Sequence, residues 1–295
     1  MSDGKAIETA ADTTAHTPAG ADGALVEARD LVLAHGHQVA LESSSFRVPL
    51  GGVTAVIGPN GSGKSTLLQA IAGVMEPASG TLTVLGGSVR ENRQRISYVM
   101  QSVVFPVGTP MTVRDVVRMG RYPAAGWLRP FSRADRAAVT EAMGQMQVTD
   151  LAGRHLDELS GGQRQRVYVA QGLAQGHEVL MLDEPMTGLD LTSARTIDRI
   201  IHAETTHGHS VVLTTHDLEE ARAADHVILV HGRVVASGSP AEVMTRANLE
   251  AVYGLGALHG PVSPDGEPEA TVPLLVDPDC TAEELQEREQ SGQIP

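Results

Sequence analysis

Residues 58–66 read Gly58-Pro59-Asn60-Gly61-Ser62-Gly63-Lys64-Ser65-Thr66. They fit the pattern G-x-x-x-x-G-K-[ST] and directly follow the apolar run 53–57, which predicts a strand. The glycines of such a loop let backbone N–H groups point inward and form a cradle for phosphate oxygens. Lys64 then supplies a positive charge for the β- and γ-phosphates, and the Ser65 hydroxyl is placed to ligate Mg²⁺. A glycine turn without a ligand is the alternative, which the preceding strand and a helix predicted from about Lys64 to Ala72 disfavour.

A second apolar segment ends in two carboxylates. Residues 179–182 read Val-Leu-Met-Leu, the pattern of a buried parallel strand, and Asp183 and Glu184 follow. In a phosphate-binding protein this ending predicts that Asp183 holds Mg²⁺ directly or through water, and that Glu184 orients the water that attacks the γ-phosphate. Taken alone, the segment is equally typical of an ordinary strand that is followed by charged residues.

A third motif stands about twenty residues before Asp183 and reads Leu159-Ser160-Gly161-Gly162-Gln163. Ser160 is a typical N-cap for the helix predicted over residues 163–173, and the glycine amides behind it make a second anion site. A simple helix cap without a ligand is the alternative interpretation.

The order of these motifs resembles that of the nucleotide-binding subunits of ATP-binding cassette (ABC) transporters over about residues 25–256. The matching segments are Gly58 to Thr66, Gln101, Leu159 to Gln163, Asp183-Glu184, Thr187-Gly188-Leu189-Asp190 and His216. The resemblance implies an α/β phosphate-loop NTPase core, an antiparallel β subdomain and a helical subdomain inserted at about residues 103–158. It also implies an ATPase that uses ATP and Mg²⁺.

The resemblance assigns roles to single residues. Gln101 would contact Mg²⁺ or the attacking water and sense a membrane partner, His216 would contact the γ-phosphate, and Asp190 would relay between two ATP sites. One position departs from the family: His35 followed by Gly36 stands where an aromatic residue, often Tyr before Gly, usually stacks on adenine. An imidazole would then do the stacking, which predicts a weaker preference for ATP.

The resemblance also implies a partner for each ATP. Two subunits pair head to tail in the family, so each ATP lies between the loop 58–66 of one subunit and residues 160–163 of the other. A Glu184→Gln variant is therefore predicted to dimerise in the presence of ATP. The inserted helical subdomain would dock on a transmembrane permease, and an extracytoplasmic substrate-binding protein would take part indirectly.

The region of the predicted insertion has helical spacing at residues 112–120 and 132–146, and Ser132 is a plausible N-cap. The residues between them, Tyr122-Pro123, Gly126 and Arg129-Pro130, are predicted to break the chain. Five apolar residues are candidates for a docking groove or, alternatively, for the core: Phe105, Val107, Met111, Tyr122 and Trp127.

Composition excludes a membrane-spanning chain and favours the cytosol. The sequence has no run of 18 apolar residues, and no signal peptide is expected at Met1. The lone cysteine, Cys280, cannot form an internal disulfide, which fits a reducing compartment. We therefore expect a cytoplasmic protein that is peripheral on the inner face of the cell membrane.

Most of the formal charge of −14 belongs to the two ends of the chain. Residues 261–295 carry nine acidic residues and one Arg, and residues 1–23 carry four acidic residues and one Lys, so the residues between them carry −3. We expect a disordered N-terminal tail at 1–23 and an acidic, disordered tail at 257–295. A nucleic-acid partner is not expected, because the body lacks the net positive charge that phosphate backbones attract.

The substrate is inferred only by resemblance. The stretch 112–123 is similar to that in ATPases that serve manganese, zinc, iron or ferric-siderophore uptake. Residues 187–190 and 215–220 favour zinc or manganese over siderophores. A soluble ABC-type ATPase that acts without a permease is the alternative from another class. His202, His207 and His209 lie near a predicted helix end, and their spacing favours exposed surface residues over a metal site.

Overall fold

The architecture comes from a computed structural model, which describes residues 23–101, 110–126 and 129–254. Apart from Gly23, the predicted tails 1–23 and 257–295 therefore lie outside the described residues. Among the described helices none is both long and apolar enough to cross a membrane.

A six-stranded sheet forms the centre of the fold, in the order β10-β9-β3-β8-β7-β6. Its strands are β3 (Val53–Ile57), β6 (Ile96–Val99), β7 (Val179–Leu182), β8 (Ser210–Thr215), β9 (His226–Val230) and β10 (Val234–Gly238). Only the β9–β10 pair is antiparallel. Every residue of β7 and β8 is buried, as expected for parallel strands with both faces covered.

The two faces of this sheet pack into two cores because alternate residues of a strand point to opposite sides. Val211 and Leu213 of β8 lie in one core with helices α6 (Gly161–Ala174) and α7 (Leu191–Thr206). Val212 lies in the other core with α1 (Lys64–Ile71), the helix that follows the glycine-rich loop. The loop is therefore held between a buried strand and a buried helix.

The second sheet is antiparallel, in the order β2-β1-β4-β5. Its strands are β1 (Ala24–His35), β2 (Gln38–Pro49), β4 (Ser79–Val84) and β5 (Gly87–Ser88). Its apolar side shares a core with α1 and one face of the six-stranded sheet. The antiparallel subdomain implied by the motifs is present.

The helical segment contains α3 (Val113–Met119), α4 (Tyr122–Ala125) and α5 (Arg133–Gln145). Thr112 and Ser132 cap α3 and α5 with capping boxes. The predicted break after α3 is present but falls at Gly120-Arg121, whereas Tyr122-Pro123 lie within the separate short helix α4. Proline at the second helical position is tolerated because the N–H it lacks has no partner within the first turn.

The candidates for a docking groove lie only partly within the described residues. Met111 packs against the core, and the ring of Tyr122 lies 5.4 Å from that of Phe131. Phe105, Val107 and Trp127 lie outside the described residues. The remaining helices are α2 (Val89–Asn92), α8 (Leu218–Ala223), α9 (Pro240–Val243) and α10 (Arg246–Tyr253).

Gly120, the C-cap of α3, allows this helix to approach α6 closely. A Cβ at this position would lie 2.1 Å from the carbonyl oxygen of Gln171. We expect Gly120→Ala to lower the free energy of unfolding by about 1–3 kcal/mol, the usual cost of overpacking. Gly144→Ala is the matched control, because a Cβ there meets nothing within 4 Å. In urea unfolding this control should be unchanged or up to about 1 kcal/mol more stable; equal losses in both variants would contradict the close-approach argument.

Candidate functional site

The glycine-rich loop leaves the carboxyl end of β3 and turns into α1. Gly58, Gly61 and Gly63 have φ values of 155°, 75° and 104°, which L side chains rarely adopt. At Gly58 an added Cβ would also lie 2.1 Å from the carbonyl oxygen of Val230. Lys64 is 5% exposed, and its Nζ donates to the carbonyl oxygens of the loop's first two residues, at 2.9 and 3.2 Å.

A cavity of about 360 Å³ opens above this loop. The residues that line it are Ala40, Asn60, Gly61, Ser62, Gly63, Lys64, Ser65, Thr66, Gln101 and Glu184. His35 is not among these residues, but its Nε2 lies 3.3 Å from the hydroxyl of Thr66, which is one of them. The structure thus brings the glycine-rich loop together with three residues from distant parts of the sequence.

Asp183 follows β7 and is 4% exposed. Its Oδ1 accepts hydrogen bonds from the Thr214 hydroxyl at 2.6 Å and the Ser65 hydroxyl at 3.2 Å, and its Oδ2 accepts one from the Tyr98 hydroxyl at 3.2 Å. Burial first, and then the charge of Asp183, raises the pKa of Tyr98, so this phenol remains a donor. The oxygens of Ser65 and Asp183 suit Mg²⁺, which prefers one or two carboxylates together with substrate phosphates.

Glu184 extends into the cavity next to Asp183. Its Oε2 accepts hydrogen bonds from Gln101 Nε2 at 2.7 Å and from the Thr187 hydroxyl at 3.3 Å. Its backbone is left-handed, with φ 46°, and its N–H donates to the Thr214 hydroxyl at 2.7 Å. A left-handed non-glycine residue is uncommon, and such conformations concentrate at functional sites.

His216 follows the carboxyl end of β8 and is exposed. It lines a smaller cavity of about 150 Å³ that also includes Glu184 and Thr187. Glu184 therefore borders both cavities, whereas His216 lines only the smaller one.

The third motif lies outside both of these cavities. Ser160 caps α6 by accepting a hydrogen bond from the backbone N–H of Gln163 at 3.2 Å, while the Gln163 side chain accepts from the Ser160 N–H at 3.0 Å. Ser160 and Gly161 are exposed, whereas Gly162 is buried. Within one chain this motif is a helix cap with an open N-terminus.

Asp190 caps α7 and supports the same region. It accepts hydrogen bonds from the backbone and the hydroxyl of Ser193, both at 2.9 Å, and these bonds lower the pKa of its carboxyl. A Cβ on Gly162 would lie 2.6 Å from Asp190 Oδ2. The N-termini of α6 and α7 are therefore packed directly against each other.

Known proteins share this combination of motifs. The ABC transporter family pattern matches residues 41–187. An achromobactin transport ATP-binding protein from Dickeya dadantii is 37% identical over 238 residues, covering 78% of this chain and 88% of that protein. This chain belongs to the ABC transporter ATP-binding family. It is therefore an ATPase with the α/β phosphate-loop fold.

Other relatives of this ABC ATPase differ in the substrate they are named for. A manganese transport system ATP-binding protein from Listeria monocytogenes is 34% identical and covers 78% of this chain and 96% of its own length. A zinc transport system ATP-binding protein from Treponema pallidum is 35% identical, and the match covers 83% of this chain and 92% of that protein. Among solved structures, an inward-facing ABC transporter described as of the metal-chelate type has a TM-score of 0.68 at 28% identity, with coverages of 78% and 89%.

Two residues of the ABC ATPase site were not anticipated from the sequence. Thr214 joins the two carboxylates, since its hydroxyl donates to Asp183 and accepts from the N–H of Glu184. Tyr98 supports Asp183 from the neighbouring strand. The pairing of Leu182 with Leu213 places Thr214 level with Asp183, so only the sheet order could have revealed this contact.

Replacing Thr214 by Val should weaken both the fold and the site. The variant keeps the side-chain volume but leaves the N–H of Glu184 and one oxygen of Asp183 without this partner. We expect the free energy of unfolding to fall by about 1–3 kcal/mol and ATP turnover to fall by about tenfold or more, because both carboxylates lose their fixed position. Thr215→Val is the control, since the Thr215 hydroxyl accepts from the N–H of Asp217 and, among the described residues, bonds to neither carboxylate. Equal turnover in the two variants would contradict the positioning role.

Proposed function

We propose that this protein is the ATP-hydrolysing subunit of an ABC transporter that dimerises around two Mg·ATP and powers import of a metal ion, zinc or manganese, through a membrane permease. The observation that carries the proposal is the meeting of Lys64 and Ser65 with Gln101 and Glu184 in one cavity, beside the buried Asp183. The family assignment supports the ATPase step, and the names of the relatives support a transporter.

The cavity residues suit the binding of a nucleoside triphosphate. The inward amides of residues 58–66 and the Lys64 ammonium would hold the phosphates. Ser65, Asp183 and Gln101 would hold Mg²⁺, which when bound neutralises the charge that develops on the phosphate oxygens. Tyr98 and Thr214 keep Asp183 in place for this task.

Hydrolysis would depend on Glu184 and His216. Glu184 would orient and polarise the attacking water as general base, and Gln101 at 2.7 Å fixes the direction of its carboxylate. His216 would contact the γ-phosphate and position the same water from the second cavity. Both side chains follow the carboxyl ends of parallel strands, where open α/β sheets bind ligands.

The third motif would act across a dimer interface. Ser160, Gly161, Gly162 and Gln163 lie outside the cavity of their own chain, and two of them are exposed at an open helix N-terminus. We propose that they complete the ATP site of a second subunit, with the oxygens of the γ-phosphate at this N-terminus. Asp190, packed against Gly162, would relay between the two sites.

His35 would stack on the nucleobase at the rim of the cavity. Its ring lies beside Thr66 at the start of α1. Base–aromatic stacking is worth about 1–3 kcal/mol, and an imidazole, the smaller ring, falls at the low end. We expect His35→Ala to weaken ATP binding about fivefold to tenfold, and His35→Tyr to strengthen it, in fluorescent-nucleotide titrations. The exposed His37→Ala is the control; an affinity for ATP that is unchanged in His35→Ala would contradict the stacking role.

The cargo and the partners rest on resemblance. Relatives named for manganese and zinc support the metal-ion hypothesis, while the achromobactin relative supports a ferric-siderophore importer as the second candidate. In both cases residues 24–256 form the ATPase domain, with the helical insertion docking on the permease. The protein would then lie on the cytoplasmic face of the cell membrane, and a substrate-binding protein would act indirectly.

The test is a pull-down of tagged Glu184→Gln protein from its own detergent-solubilised membranes in Mg·ATP, followed by mass spectrometry. We expect a polytopic membrane protein, with a metal-binding lipoprotein beside it. Recovery of a siderophore-binding protein would favour the second candidate, a ferric-siderophore importer. Recovery of soluble partners without a permease would overturn the transport proposal and favour a soluble ABC-type ATPase.

A further inference from the structure

Two histidines and a glutamate converge at the edge of the sheet opposite the nucleotide cavity. His177 precedes β7 and His209 precedes β8, two adjacent parallel strands whose pairing begins at Val179 and Ser210. Glu204 lies in the last turn of α7. The two strands contain 4 and 6 residues, so about 13–20 Å of strand separates this edge from the carboxyl ends that carry the catalytic groups. The cluster is therefore distinct from the ATP site.

A helix-ending motif places His209 beside Glu204. The backbone N–H of His209 donates to the carbonyl of Glu204 at 3.0 Å, and the N–H of Gly208 donates to that of Thr205 at 3.0 Å, with Gly208 at φ 86°. These bonds form a Schellman motif, in which the side chains at the first and last positions commonly make an apolar contact. In this protein that pair is a carboxylate and an imidazole, which is unusual for a purely structural cap.

The donor atoms of the three side chains lie close together. Oε2 of Glu204 is 3.1 Å from Nε2 of His177 and 2.6 Å from Nδ1 of His209, and all three atoms lie within 4.8 Å of one another. The side chains of His177 and Glu204 are only 3% and 10% exposed, whereas that of His209 is 35% exposed. The cluster is thus buried on one side and open to solvent on the other.

The donor groups of the cluster suit a cation. The Glu204 carboxylate lies in a partly desolvated position, with its side chain 10% exposed, and two imidazole nitrogens contact it. A carboxylate oxygen only accepts hydrogen bonds, so in the metal-free cluster the N–H of His177 is at Nε2 and donates to Glu204. The Nδ1 of His177 is buried, and no described residue forms a hydrogen bond with it. A metal ion at Nε2 would displace the Nε2 proton, because histidine binds a metal through an unprotonated nitrogen.

We propose that His177 Nε2, His209 Nδ1 and Glu204 Oε2 bind a divalent metal ion of the zinc type. Two imidazole nitrogens and one carboxylate oxygen are a common three-ligand set for Zn²⁺, with water in the fourth position. Donor atoms around a tetrahedral zinc ion are about 3.3 Å apart, as follows from bond lengths of about 2.0–2.1 Å. The separations from Glu204 are 3.1 and 2.6 Å, both shorter than this value, and all three donor atoms lie within 4.8 Å of one another. Side-chain movements of less than about 1 Å from Glu204 would therefore admit the ion.

The proposed zinc-type site discriminates against the magnesium ion that accompanies ATP. Mg²⁺ prefers oxygen ligands in octahedral geometry and is poorly served by two imidazoles. His202, His207 and His209 are close in sequence. His202 is exposed on α7 and His207 is exposed just after the end of this helix, whereas His209 belongs to the cluster. The sequence alone missed the site because His177 comes from a different loop. A bound ion would tie the end of α7 to the start of β7.

The experiment is a titration of the full-length protein with Zn²⁺ against a chromophoric chelator, without nucleotide. We expect one tight equivalent in the wild type and a loss of at least about a hundredfold in affinity in His209→Gln and in Glu204→Gln, since even outer-shell changes cost about 10- to 100-fold. His202→Gln, on the exposed face of the same helix, is the matched control and should bind as the wild type does. The difference between variants separates this site from metal binding elsewhere in the chain.

Two further measurements keep the proposal testable if a variant folds poorly. Co²⁺ should give visible absorption typical of a four-coordinate site in the wild type and in His202→Gln but not in His209→Gln. Zn²⁺ at about a hundred times its Kd should raise the Tm of the wild type by about 5–10 °C. Absence of a tight equivalent in the wild type, or an equal one in all four proteins, would overturn the proposal. Retained ATP binding in His209→Gln would show that the nucleotide site is intact.

Discussion

Replacing Glu184 by Gln is expected to lower ATP turnover by at least about a hundredfold while nucleotide binding survives. The amide keeps the size of the side chain and its contact with Gln101, but it cannot accept a proton from the attacking water. Losing a general base usually costs about 10²- to 10⁴-fold. Steady-state phosphate release gives the turnover, and equilibrium binding of fluorescent ATP gives the affinity.

The structure offers a matched control for this variant. Glu220 lines the same small cavity as Glu184 and His216 but makes no bond to Gln101. Glu220→Gln should therefore retain turnover within a few-fold.

Glu184→Gln should also form an ATP-dependent dimer in gel filtration, because the ATP held between two chains is no longer consumed. Near-normal turnover in Glu184→Gln would refute its role, and a monomer at high ATP would argue against the head-to-tail dimer in the absence of a permease.

The sequence predicted the elements whose signals are local. The apolar run 53–57 forms β3, helices α3 and α5 lie within the segments predicted by helical spacing, and Ser132 caps α5 as predicted. The sequence does not predict the short helix α4, because Pro123 indicates a break, although proline fits the first turn of a helix. The strand β5 has two residues and is too short to show a periodicity, so it is recognised only from its pairing with β4.

The candidate site was predictable to the extent that its residues belong to motifs. Gln101 and Glu184 were assigned separately, and their contact at 2.7 Å depends on the adjacency of β6 and β7. Thr214 and Tyr98 were missed because a threonine or tyrosine near a strand end is commonplace and acquires meaning only from the sheet order. The third motif, by contrast, is recognised from five contiguous residues, 159–163, and Ser160 caps α6 as predicted.

Removing the ammonium of Lys64 should abolish most nucleotide binding. Lys64 is 5% exposed, and its Nζ already lies in the loop, held by the carbonyl oxygens of Gly58 and Pro59. Truncating one member of a buried charge pair costs about 2–5 kcal/mol, or about 30- to 5000-fold in affinity. We expect Lys64→Met to lose at least about 30-fold in ATP affinity in equilibrium binding and to show no measurable turnover.

The fold should survive this change. Burial lowers the pKa of Lys64, although the charges of Glu184 and Asp183 act in the opposite direction. A lysine whose folded pKa is lowered destabilises the native state below its unfolded pKa, since the charged form is the one disfavoured by folding. Lys64→Met should therefore be as stable as the wild type, or more so, in urea unfolding at pH 7. A large loss of stability would mean that the two carbonyl contacts matter more than the desolvated charge.

A second measurement tests Lys64 without a variant. Lys5 and Lys64 are the two lysines of the sequence, and Lys5 lies outside the described residues. Mg·ATP should protect Lys64 from an amine-reactive reagent while Lys5 reacts at an unchanged rate, as followed by mass spectrometry. Equal protection of both amines would point to a general effect of nucleotide on reactivity. Protection confined to Lys64 would tie the phosphates to this side chain, because burial alone shields it equally in the presence and absence of ATP.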